Sequence, residues 1–275
     1  MVSLQIACVL IVALFLWFRA KLEAKPLHLF RRLFLLAAAA WVGENTCIRL
    51  YGFYEYSASW WLFLDKVPLL IILIWPIVIQ SARDLGTCLW TGRDRPSVSK
   101  MALTAFFLVL ADAALIEPIS VRAGLWHWTE PGYFSVPPIG ILGWAYFSAL
   151  AVAVFERAQW KGKPWFEAWV LLVAPAGTHL LLLASWWGAF RWVNTTLPNW
   201  APTILVWMVT ITLTIGAIIK KTRRRVPPIL LWIRLPAALF FFVLLALHAG
   251  ESGFLVPYAI GFAPPYLAIF AVRFR

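Results

Sequence analysis

Charged side chains are scarce in this chain. Only 13% of its residues are Asp, Glu, Lys or Arg, whereas an ordinary soluble domain carries about a quarter. With 63% of the residues hydrophobic, that shortage excludes a soluble globular domain. Cysteine is also rare. Cys8, Cys47 and Cys88 stand alone, with no CxxC pair and no metal-ligand spacing, so they read as small apolar membrane residues and no metal site is expected. No Gly-rich phosphate loop occurs. No linker or low-complexity tract divides the chain, and residues 1–275 read as one integral membrane domain.

What the chain does have is long apolar runs. One bilayer crossing needs roughly 20 mostly apolar residues. Nine segments fit, at about 2–19, 33–50, 60–81, 101–121, 136–155, 166–188, 201–219, 229–248 and 255–272. Lipid offers no partner for unpaired backbone groups, so helix is the expected state. The expected fold is an all-α, polytopic transmembrane helix bundle of about nine spans, with eight as the alternative count. The stretch from Met1 to Phe18 lacks a basic start and a clear cleavage site, and reads as the first span, not a removed signal peptide.

The formal net charge is +12, and its placement carries the topology. Nineteen of the 24 basic residues fall in alternate loops: Arg19 to Arg32, Arg83 to Lys100, Arg157 to Lys163, Lys220 to Arg225, and the tail with Arg273 and Arg275. The opposite loops hold only Arg49, Lys66, Arg122 and Arg191, and Arg234 lies early in the eighth span. Cytoplasmic loops carry the basic excess. The expectation is a multi-pass protein of the cell membrane with its N-terminus outside and its C-terminus cytoplasmic. A run such as Lys220–Arg225 suits anionic lipid, and basic residues confined to short loops are a poor footprint for nucleic acid. Glu23, Asp84, Asp94, Glu156 and Glu167 sit among these basic residues and are expected to be their solvated partners. Asn194-Thr195-Thr196 fits a glycosylation pattern that is common by chance.

Polar groups inside spans are costly and usually face the bundle interior. Glu44 sits in the second segment, Asp112 and Glu117 in the fourth and His179 in the sixth, while His248 and Glu251 close the eighth. A carboxylate desolvated in this way can hold a proton near neutral pH, the property a general acid needs. Asp112 and Glu117 are five residues apart, about 140° around an ideal helix, which argues against a shared face unless the helix distorts before Pro118. A lone span histidine, His179 or His248, is more often a hydrogen-bonding residue between helices than a catalyst. Aromatics are abundant, with 18 Trp, 20 Phe and 7 Tyr. Many fall near the outer loops, where an interfacial belt is the ordinary account. The loop from Arg122 to Pro137 mixes Trp, His, Glu, Gly and Pro and reads as a compact turn.

Two stretches within residues 44–144 resemble a known family, the membrane carotenoid-biosynthesis proteins that include bacterial and archaeal carotenoid 1,2-hydratases. The first runs from Glu44 through Tyr51-Gly52-Phe53-Tyr54-Glu55-Tyr56 to Val67-Pro68 and Trp75. It resembles a family pattern of Glu, Gly-x-Tyr-x-Tyr, Val-Pro and Trp. The second holds Asp112, Glu117-Pro118, Gly124-Leu125-Trp126-His127-Trp128, Tyr133, Val136-Pro137 and Gly143-Trp144. It resembles Asp, Asp-Pro, Gly-x-Trp-x-Trp, Tyr, Gly-Val-Pro and Asn-x-x-Gly-Trp. Glu117 stands where the family has Asp, Ser135 where it has Gly, and Gly140 where it has Asn.

The resemblance implies a lipid-soluble carotenoid substrate with an acyclic end and addition of water across its terminal 1,2 double bond. An acid protonates the alkene, and water captures the tertiary cation. Neither a redox cofactor nor a metal is required. Glu44, Asp112 and Glu117 are the expected acid and base groups, in roles that the sequence leaves open. Tyr54, Tyr56, Trp126, Trp128, Tyr133, Trp144 and His179 are the expected substrate contacts, since ring faces stabilise a cation. Other carotenoid-pathway enzymes are conceivable partners. A membrane lycopene cyclase passes through the same cation, although the Pro-x-Glu-Glu style motif associated with such cyclases is missing after Pro137-Pro138. A proton-coupled transporter also uses span acids, but its usual internal repeat is not seen.

Overall fold

The computed structural model describes residues 1–90, 96–194, 198, 200–219, 226–248, 250 and 253–271. Helix α1 is Val2–Leu22 and α2 is Pro26–Tyr51. Strands β1 (Tyr54–Tyr56), β2 (Phe63–Leu64) and β3 (Val67–Pro68) follow, then α3 (Leu69–Leu89) and α4 (Val98–Arg122). After β4 (Trp126–Trp128) comes α5 (Pro138–Trp160). The next span begins as a 3-10 turn (Pro164–Trp169), continues as α6 (Val170–Ser185), and loosens into a π turn (Trp186–Phe190) ahead of the short α7 (Arg191–Val193). The chain continues as α8 (Trp200–Ile219), α9 (Pro228–His248), α10 (Leu255–Ile260) and α11 (Ala263–Ala271).

Local chemistry sets several of these ends. Pro26 and Pro138 open α2 and α5 in the first turn, where a missing N–H costs nothing. Gly52, at φ +61°, ends α2 in the left-handed conformation that glycine adopts without strain. The Ser97 hydroxyl accepts the Lys100 N–H and caps α4.

Eight helical segments are long and apolar enough to cross a membrane, and the fold is an all-α polytopic bundle. The ninth apolar segment of the sequence becomes α10 and α11, with a break at Gly261. A Cβ at Gly261 would lie 2.8 Å from Val206 Cγ1, so the break lets the chain press onto α8. The third segment also differs from expectation. Residues 60–68 form β2, a turn through Asp65 and Lys66, and β3, and helix begins only at Leu69. Arg49 on α2 binds Asp65 in that turn and holds its carboxyl below the usual range.

Helices α2 to α6 form the central cluster, with α4 against α5, α5 against α6, and α2 against both α3 and α6. Helix α9 packs on α4, and α10 and α11 pack on α8. The outside is oily: Leu205, Met208, Ile215 and Ile218 of α8 are each more than half exposed, as a bilayer-facing surface requires.

The basic ends of the bundle are stitched by buried ion pairs. Arg19 meets Asp84 at 2.8 Å, Arg83 meets Glu156 at 2.7 Å, and Glu167 takes both Arg31 (2.8 Å) and Arg32 (2.7 Å). The expectation of solvated partners is therefore corrected for Asp84, Glu156 and Glu167, the last 2% exposed, while Glu23 stays partly exposed beside Arg19. Arg31 and Arg32 lie inside α2 and not in a loop, and Arg32 sits over the Phe155 ring. A carboxylate cut off from water needs such partners to stay ionised. Arg93, Asp94, Arg95, Thr195, Thr196, Lys220 to Arg225, Glu251, Arg273 and Arg275 lie outside the described residues.

Candidate active site

The two sequence stretches meet as a β-ribbon. Strands β1 and β4 pair antiparallel, with Tyr54 opposite Trp128, Glu55 opposite His127 and Tyr56 opposite Trp126. Side chains alternate across a strand. Tyr54, Tyr56, Trp126 and Trp128 therefore face the bundle, while Glu55 and His127 are largely exposed on the other side. Backbone bonds from Thr129 N–H to the Phe53 carbonyl (2.9 Å) and from Ser57 N–H to the Leu125 carbonyl (3.0 Å) extend the ribbon at both ends.

Beneath this ribbon lie two acids. Glu117, 2% exposed, accepts the indole N–H of Trp126 (2.8 Å) and of Trp128 (3.1 Å) on Oε2, and that of Trp144 (2.7 Å) on Oε1. Glu44 accepts the phenols of Tyr54 and Tyr56 on Oε2, the latter at 2.8 Å, and the Trp75 indole N–H on Oε1 at 3.0 Å. Burial, and then the Glu44 charge, push both phenols well above the ordinary tyrosine range, which keeps them as O–H donors. Among the described residues neither acid has an ion-pair partner. A carboxylate offers about four acceptor sites. Each acid here uses three, and the open site is on Oε1.

Both acids line one cavity of about 60 Å³, together with Gly43, Cys47, Phe53, Trp75, Gly140, Phe147, Thr178, His179 and Leu182. That is room for about two water molecules at ~30 Å³ each, so an end group fits only when the surrounding rings part. His179 Nε2 lies 2.7 Å from Thr46 Oγ1, bridging α6 to α2, and its ring meets Tyr51 edge-on.

Of the sequence-derived candidates, Glu44, Glu117, Tyr54, Tyr56, Trp126, Trp128, Trp144 and His179 all line this cavity. Two do not. Asp112, expected as a catalytic acid, lies outside the cavity lining and in an ion pair. It binds the Arg234 guanidinium, which also reaches Ser81 and Tyr266. The reason is its angle around α4: Glu117 points at the cavity and Asp112 at α9. Tyr133, expected as a substrate contact, likewise lies outside the cavity lining. It bridges to Val136 across a bend where a Cβ on Gly132 would strike the Val136 carbonyl at 2.0 Å. His248, at the end of α9, gives its carbonyl to Arg122 Nε at 3.1 Å.

The sequence reading left three residues without a role. Trp75 stood among the matching motif residues, and its N–H now proves to hold Glu44. Arg234 was visible as a lone span cation but had no assigned partner. Gly140 was noted only as a departure from Asn, and packing explains it: a Cβ there would lie 2.5 Å from the Trp128 ring. Ser135, another departure, holds φ at +65°, a conformation that favours the glycine of the family pattern.

Fold and site thus define a membrane helix bundle with two buried acids in an aromatic cavity. The family of carotenoid biosynthesis proteins matches residues 1–213, beyond the motif-bearing stretch 44–144, and the chain belongs to that family. No curated protein and no solved structure matches the chain.

Proposed function

We propose that the cavity adds water across the terminal 1,2 double bond of an acyclic carotenoid end group. The observation that carries this reading is the convergence of Glu44 and Glu117 on one ring-lined hollow, each held by three donors. Family membership supports a carotenoid as the substrate class.

Glu117 is the proton donor in this scheme. Its three indole partners can only donate, so they stabilise the carboxylate left behind once its proton reaches the alkene. The positive charge then sits on the tertiary carbon, among the faces of Trp75, Trp126 and Trp144. Water bonds to that carbon through oxygen, and Glu44 takes the surplus proton. The carotenoid reaches the site through the bilayer. The basic excess in alternate loops supports an N-terminus outside, a C-terminus in the cytoplasm with α10 and α11 as a ninth crossing, and a cavity nearer the outer face.

The test is expression in a lycopene-accumulating host with pigment analysis by mass. Hydration adds one or two waters, and Glu117→Gln abolishes the gain. Conversion at unchanged mass would replace hydration by cyclisation. Uptake without conversion would replace it by transport.

A further inference from the structure

A hydration reaction in an oily cavity needs water delivered and held, and two buried polar groups, one on the sixth span and one just past its end, have no partner among the described residues. The first is His179 Nδ1, which is buried without a partner. The Thr46 hydroxyl has one proton, and it lies 2.5 Å from the Val42 carbonyl, its acceptor. The 2.7 Å contact with His179 Nε2 is then donated by the imidazole. With its proton on Nε2, the neutral ring presents Nδ1 as a bare acceptor, on a side chain that lines the cavity.

The second is Asn194. It is 4% exposed, and neither Nδ2 nor Oδ1 finds a partner among the described residues. Asn194 lines a separate polar hollow of about 400 Å³ with Glu130, Trp186, Trp187 and Arg191. The hollow is open to the surface, where water enters, and Trp187 on its wall is more than half exposed. Unsatisfied buried amides are what ordered water binds.

The two groups are linked through one wall. His179, Leu182 and Trp186 recur at i, i+3 and i+7, one face of a helix. Leu182 lines the cavity and Trp186 the hollow. Trp186 meets Phe53, a cavity residue, edge-on at 5.8 Å, so this ring contact stands between the two spaces. Trp186 also begins the π turn, a loosened geometry found often at functional sites.

We propose that the Asn194 hollow supplies the reactant water past the Trp186–Phe53 contact, and that His179 Nδ1 holds it for attack. The water donates one hydrogen to Nδ1, bonds to the cation through oxygen, and passes its other proton to Glu44. This rests on the hydration reading and deepens it.

The experiment supplies the acyclic carotenoid in D₂O and measures two products by mass: hydrated carotenoid, and recovered olefin carrying deuterium at the protonated carbon. The second arises when the cation forms but loses a proton before water arrives. His179→Phe is expected to lower the ratio of hydrated to deuterated product by roughly a hundredfold. Asn194→Leu, which keeps the volume, is expected to lower it by about tenfold, and His179→Gln, which retains an acceptor, restores part of it. The ratio is internal to each sample, so it does not depend on how much protein folds. If both variants keep the wild-type ratio, or lose the two products together, the water route is overturned. If the wild-type protein gives neither product, it is the hydration reading itself that fails.

Discussion

Trp75 and Trp144 lie face to face, ring centroids 4.1 Å apart and planes 18° from parallel, and each binds a different acid. Trp75 donates to Glu44 and Trp144 to Glu117. The stacked pair fixes the two carboxylates in one frame, because neither indole can move without carrying the other.

Trp144→Phe keeps a ring in the stack but removes the N–H from Glu117. A hydrogen bond to a charged group contributes about 1.5–3 kcal/mol. The expected result is a fall in conversion of about tenfold or more, read as product per folded protein. Trp75→Phe should act likewise through Glu44. The double variant should fall short of the product of the two losses, since contacting residues couple.

Gly140→Ala should disable the site while leaving the bundle folded. The added methyl would meet the Trp128 ring at 2.5 Å, displacing the indole that donates to Glu117 at 3.1 Å. Carotenoid conversion should drop sharply, with detergent-solubilised melting close to wild type. Normal conversion would show that the Trp128 contact is dispensable.

Asp112 and Arg234 make a structural pair, each side chain 15% exposed. Removing one partner of a buried pair costs about 3–5 kcal/mol. Arg234→Met alone should therefore lower the melting temperature markedly. Asp112→Leu combined with Arg234→Met should recover much of that loss and retain conversion. A double variant that is stable but inactive would return Asp112 to the chemistry.

Ser135→Gly should stabilise the protein. Ser135 holds φ at +65°, a left-handed position that costs a non-glycine residue about 1–2 kcal/mol. Thermal unfolding is expected to shift upward by a few degrees, with conversion unchanged because Ser135 does not line the cavity.

The proposed orientation is checked with cysteines introduced one at a time. Ser59→Cys lies in the exposed loop after β1, and Ser99→Cys in the first turn of α4. A membrane-impermeant thiol reagent should label the first in intact cells and the second only after permeabilisation. The reverse pattern would invert the topology.

The spans were readable because their signal is local: twenty apolar residues in a row identify a crossing wherever they pack. The ninth segment was harder for the same reason. Hydropathy does not see that Gly261 lets the chain turn against α8. Asp112 and Glu117 show a similar divide. Their spacing argued against a shared face but left a distortion before Pro118 open, and only packing decided that Glu117 meets three indoles and Asp112 meets Arg234.

By itself the sequence determined that this is a lipid-embedded helical protein and that Glu44, Glu117, Tyr54, Tyr56, Trp126, Trp128 and Trp144 deserve weight, because residue type and spacing are properties of the chain. Tertiary structure alone decided which of them share one space. Glu44 and Glu117 are 73 positions apart, and their meeting depends on the register of β1 with β4 and on the stack of Trp75 on Trp144. Those are contacts between distant segments, and no local pattern records them.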